Sequence, residues 1–179
     1  GDADVGTLIS VQVSYTDVRG TAEGPLISAQ TGPVVNVNDV PVIGGDDAGS
    51  VTEDVGVVAG NLVDSGSLTI VDPDAGEDNF TAETLVGTYG SLTIDAAGNW
   101  NYTALNSQAA IQARAAGCCV TYSMTVSATD GTTHYVVITL TGSNVAPVVN
   151  DQVFNIDENR TMNAVIGTPV VMDPDTGDT

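Results

Sequence analysis

Asn36-Val37-Asn38-Asp39-Val40-Pro41 closes one extended apolar segment and opens the next, and its proline prevents a helix or a central strand from running through. An altered copy, Gly142-Ser143-Asn144-Val145-Ala146-Pro147, follows farther along the chain. Only the stretch between these two breaks is long enough to bury a complete core. The breaks therefore divide the 179 residues into three parts: 1–39, 40–147 and 148–179. Only the middle part is expected to be a whole unit.

Within residues 42–141, runs of Val, Thr, Ile and Leu recur at short regular spacing with turn residues between them, the pattern of a β-sandwich. Expected strands are 50–52, 57–62, 67–71, 80–84, 87–94, 100–103, 120–129 and 133–141. Asp95 to Asn99 forms a turn joining Leu92 and Ile94 to Trp100 and Tyr102, and the alternation puts all four on one face. Asp130-Gly131 marks a tight hairpin. One short helix is expected from Asn106 to Gly117, with Asn106-Ser107 as N-cap and Gly117 as C-cap. In the first part, Leu8, Ile9, Val11, Val13 and Tyr15 make one strand and Leu26 to Val35 another, which is too little for independent stability. In the third, Val153, Phe154 and Ile156 open a strand and Ala164 to Met172 supply a second. The fold class is all-β, with sandwich units in tandem.

Charge excludes several functions. There are 23 acidic residues against 3 basic ones, all arginine, for a formal net charge of -20. Nucleic acid needs a cationic face to displace counterions, and an anionic membrane surface repels such a chain. No apolar run is long enough for a membrane span. With no lysine there is no lysine nucleophile, Schiff base or lysine isopeptide bond. Gly-x-Ser-x-Gly and His-Glu-x-x-His are both missing, so no enzyme is expected. His134 is expected on a sheet face. Of the adjacent Cys118 and Cys119, one is expected buried and the other an exposed thiol, able to pair between chains. Crowded carboxylates repel in a compact fold unless cations neutralise them, and calcium takes oxygen ligands. The plainer reading is that acidity serves solubility or salt tolerance.

The middle part resembles the VCBS repeat of giant bacterial adhesins, including those of the repeats-in-toxin type. The resemblance is carried by Val51-Thr52-Glu53-Asp54, Asp72-Pro73-Asp74-Ala75-Gly76-Glu77, Gly87 to Gly90, Asp95 to Tyr102 and Asp130 to His134. Residues 2–39 resemble the last strands of an Ig-like repeat. Residues 148–179 resemble the opening of a cadherin-like repeat, through Phe154 to Asn159 and Asp173-Pro174-Asp175. The resemblance implies an extracellular array on a bacterial surface or secreted, stiffened by calcium, whose partners are neighbouring repeats of the same polypeptide.

Calcium in a linker needs six to eight oxygens drawn from both neighbours. The first junction offers Asn38, Asp39, Glu53 or Asp54, and Asp72 with Asp74; the second offers Asn144, Glu158, and Asp173 with Asp175. Val145 stands where such repeats usually have aspartate, so the second junction is expected to bind more weakly. Two other functions stay open. One is a carbohydrate-binding module that grips cell-surface glycans. The other is a filament subunit that self-associates by strand complementation.

Overall fold

The computed structural model describes residues 2–156, 158–163 and 165–175. A 3-10 turn at Asp2–Asp4 precedes the hairpin of β1 (Gln12–Thr16) and β2 (Ala22–Ile27). Then come β3 (Val42–Gly45), β4 (Ala48–Thr52), β5 (Asn61–Val71), β6 (Glu83–Val86), β7 (Ser91–Ile94) and β8 (Asn99–Leu105). A single helical turn, α1 (Ala109–Gln112), leads to β9 (Cys119–Ser127) and β10 (Thr133–Thr141), and β11 (Val148–Val149) pairs with β12 (Val171–Met172). The protein is all-β, as the strand-rich sequence requires.

The central strands form two facing sheets, one in the order β3-β5-β8-β7-β6 and one in the order β4-β10-β9. Alternation decides what each strand buries. In β10, Val136, Ile138 and Leu140 turn inward and are fully buried, while Tyr135 and Val137 face out. Leu92, Ile94, Trp100 and Tyr102 all lie in the core, as their spacing predicts. The Trp100 indole N–H donates to the Asp46 carbonyl at 2.7 Å, which satisfies the one polar atom its burial encloses.

Several expectations change. The strands expected at 57–62 and 67–71 are mostly one long strand, β5, and β3 was not foreseen. The helix shrinks to one turn, because its expected cap is used elsewhere. The Asn106 side chain accepts from the Asp54 backbone N–H at 3.0 Å and donates to the Asp54 carboxylate at 2.7 Å. Cys118 and Cys119 are both exposed and free. The Cys118 N–H is turned back onto the Ala115 carbonyl, so the strand starts only at Cys119, beyond the last core position. Val153 to Ile156 make no strand; the pairing in that part is β11 with β12.

Pairing separates the two poles of the central sandwich. β3 and the end of β5 meet through Val42 and Val71, so the Asn36–Pro41 linker arrives beside the loop that starts at Asp72. β4 runs parallel to β10, with Thr52 opposite Thr141, so Glu53 emerges where the chain leaves the sandwich. Eleven residues of β5 lie between the poles, about 35 Å at roughly 3.3 Å per residue.

Candidate metal centre at the unit junctions

At the first junction, carboxylates converge from three separate parts of the chain. One oxygen from each of Asp2, Asp39 and Asp74 lies within 4.8 Å of the other two. Asp74 is the hub and is only 2 % exposed. One of its oxygens accepts from the Asn36 side-chain amide at 2.8 Å and the other from the Asp39 backbone N–H at 2.7 Å. The loop that carries it closes on itself, because the Asp74 N–H donates to the Asp72 carboxylate at 2.8 Å. Pro73 restrains the backbone between the two acids.

Electrostatics at this pole is one-sided. The backbone hydrogen bond from Asp39 holds the Asp74 carboxyl below its ordinary range. Asp2 and Glu77 are pushed up, first by burial and then by the negative charges of their neighbours. Asp74 and Asp39 act on Asp2, and Asp74, Asp72 and Asp130 act on Glu77. No arginine compensates: Arg114 is engaged with the Tyr89 ring, and the one ion pair among the described residues is His134 with Asp47. Asp2 Oδ2, Asp72 Oδ2 and Glu77 Oε2 are enclosed with no donor among the described residues. Enclosed, acceptor-only oxygens at a pole with no cationic side chain fit a hard divalent cation, which supplies positive charge and accepts oxygen ligands.

The second junction repeats this build. Asp175 is 3 % exposed and accepts from the Val145 backbone N–H at 2.8 Å, and its own N–H donates to the Asp173 carboxylate at 2.9 Å. Glu53, fully buried, accepts from the Ser143 N–H at 3.2 Å, and burial raises its pKa. Glu53 Oε1 and Asp175 Oδ1 are enclosed with no donor among the described residues.

The structure thus regroups the residues expected from sequence. Asn38, Asp39, Asp72 and Asp74 do gather at the first junction, and Asp173 and Asp175 at the second. Glu53 does not join the first group: the parallel pairing of β4 with β10 carries it to the second. Asp54 is held by Asn106 and Gln112, whose side-chain amides both donate to its Oδ1. Asn144 is exposed at the second linker, and Glu158 is exposed with no hydrogen bond among the described residues. Asp2, Glu77 and Asp130 were missed. Asp130 sits on the β9–β10 hairpin, which Thr129 Oγ1 ties to the Glu77 carbonyl at 3.1 Å. The Asp-Gly turn was visible in sequence, but nothing local showed which loop it would meet.

Fold and site together define a β-sandwich domain with an acidic cluster at each pole. The chain belongs to the bacterial cadherin-like domain family, whose family model matches residues 38–142. The match falls on the central unit, where the sequence resembles a VCBS repeat, and the stretch 148–179, which resembles the opening of a cadherin-like repeat, lies outside it. That family is a non-enzymatic structural and adhesion module. No curated protein matches the chain by sequence. Among the described residues no helix is long and apolar enough to cross a membrane.

Proposed function

We propose that this chain is an extender segment of an extracellular bacterial adhesin, on the cell surface or secreted, in which calcium bound at the junctions holds β-sandwich repeats in line. The VCBS-like motifs within residues 40–147 favour the large repeats-in-toxin type of adhesin. The observation that carries the reading is the convergence of Asp2, Asp39 and Asp74, one acid from each side of the linker and one from the linker itself. Asp2, Asp39 and Asp74 would hold such a cation, and its charge would tie the preceding segment to the sandwich. When bound, calcium supplies the positive charge and the coordination that the enclosed oxygens lack. The protein's own part is to aim the carboxylates: Asn36 and the Asp39 amide orient Asp74, and the Asp72 carboxylate pins the loop.

A glycan-binding surface built on Trp100 and Tyr102 has no support, since both rings are buried in the core. Strand complementation between chains has one favourable observation: Val13, Tyr15 and Leu26 on the β1–β2 hairpin are 53 to 71 % exposed. Light scattering showing only monomers argues against it.

The primary test is thermal melting in millimolar calcium and in chelator. A ligand that binds only the folded state at a thousand times its dissociation constant adds about 4 kcal/mol. For a chain of this size that corresponds to a rise of about 10 °C in Tm. Superimposable curves would falsify calcium stiffening.

A further inference from the structure

We infer that the two junctions are unequal calcium sites, and that the second is the joint that loosens first as calcium falls. This rests on the calcium reading above and adds an order to it. The two linkers share one backbone scheme, in which the amide of Asp39 or Val145 donates to the second acid of an Asp-Pro-Asp loop, at 2.7 and 2.8 Å. They differ in two side chains. Val145 replaces Asp39, so the second site lacks the linker carboxylate that the first site aims at its centre. Gly142 stands in register with Asn36, so the second site also lacks the amide that donates to Asp74.

The two differences act in the same direction. Calcium affinity follows the number of ligand charges, so loss of one carboxylate weakens the second site. Without calcium, Asp74 keeps protein donors on both oxygens, and the first linker stays fastened to the sandwich. Among the described residues the donorless oxygens of the first junction, Asp2 Oδ2, Asp72 Oδ2 and Glu77 Oε2, belong to half-buried acids, whereas those of the second, Glu53 Oε1 and Asp175 Oδ1, belong to its most deeply buried acids, Glu53 fully buried and Asp175 3 % exposed. Enclosed, unpaired carboxylate oxygens favour opening to water. Calcium is therefore needed more at the second joint and bound there less tightly. The first joint is a standing connection, and the second is a hinge set by calcium concentration.

The test is hydrogen exchange with mass spectrometry on the full chain over a calcium series, following peptides that span residues 36–41 and 142–147. Protection of the second linker is expected to need roughly tenfold more calcium than the first. Val145→Asp should bring the two transitions together, and Asp39→Val should move the first up to the second. Unchanged protection of β8 and β10 verifies that each variant keeps its fold. Coincident transitions in the parent chain, or a Val145→Asp variant that shifts nothing, overturn the ordering while leaving calcium binding intact. If neither linker responds to calcium, the reading beneath it fails as well.

Discussion

Asp95 lies between β7 and β8 and organises its turn with its own carboxylate. Its carboxylate accepts from the Asn99 side-chain amide at 2.9 Å, the Asn99 backbone N–H at 2.9 Å and the Ala97 N–H at 3.0 Å. These bonds, the Asn99 side chain foremost, hold its pKa below the ordinary carboxylate value. The folded state therefore binds this proton less readily than the unfolded chain. The stability it contributes is present above the usual carboxylate range and is lost as pH falls through the depressed folded value. Urea melts of the parent and Asp95→Ala should differ at pH 7, and the gap should narrow as pH falls below the ordinary carboxylate range; a constant gap would show that charge on Asp95 is not what matters. This role was legible, because an Asp-x-x-Gly-Asn turn between alternating strands is a local pattern. Asp2 carries no such local signal. It opens a short 3-10 turn, and only the fold brings it to Asp74.

Pairing between distant strands explains most of what the sequence pattern alone could not reveal. Strand order along the chain suggests that Glu53, just after β4, serves the same junction as the nearby linker. The parallel register of β4 on β10 sends it to the opposite pole, and no short-range pattern encodes a parallel contact between residues 52 and 141. Facing is the opposite case, because alternation within a strand is local. Ile138 is fully buried, and Val137, its neighbour on β10, points outward at 37 % exposure. Ile138→Ala should cost about 2–5 kcal/mol, through lost burial and the cavity left behind. Val137→Ala should cost less than about 1 kcal/mol, since its side chain stays partly in water. Chemical denaturation of the pair checks the assignment of faces, and equal losses would contradict it. The helix between 106 and 117 shows the limit of local signals. Asn106 and Gly117 are plausible caps, but hydrogen bonds from Asn106 and Gln112 to Asp54 divert the segment into a loop with one helical turn.

At the scale of the molecule the governing number is the net charge of -20, and two physical accounts of it make different predictions. If acidity serves only solubility in salty surroundings, the destabilising repulsion is diffuse. Screening should then relieve it, because at 1 M monovalent salt the Debye length is about 3 Å. If the acids are ligands, salt relieves the diffuse part alone. Sodium ions shorten the reach of charge, but they do not hold Asp2, Asp39 and Asp74 in one coordination sphere or satisfy Glu53 Oε1 and Asp175 Oδ1. Melting of the chelated protein should therefore rise with sodium chloride to a plateau, and millimolar calcium added on that plateau should raise it again. Double substitution of Asp74→Asn and Asp175→Asn should abolish the second rise and preserve the first. Both substituted side chains keep an oxygen acceptor for the Asp39 and Val145 amides, so the linkers retain their path while the charge is lost. Should salt alone match the full effect of calcium, the acids would be a solvated coat and the junctions ordinary turns.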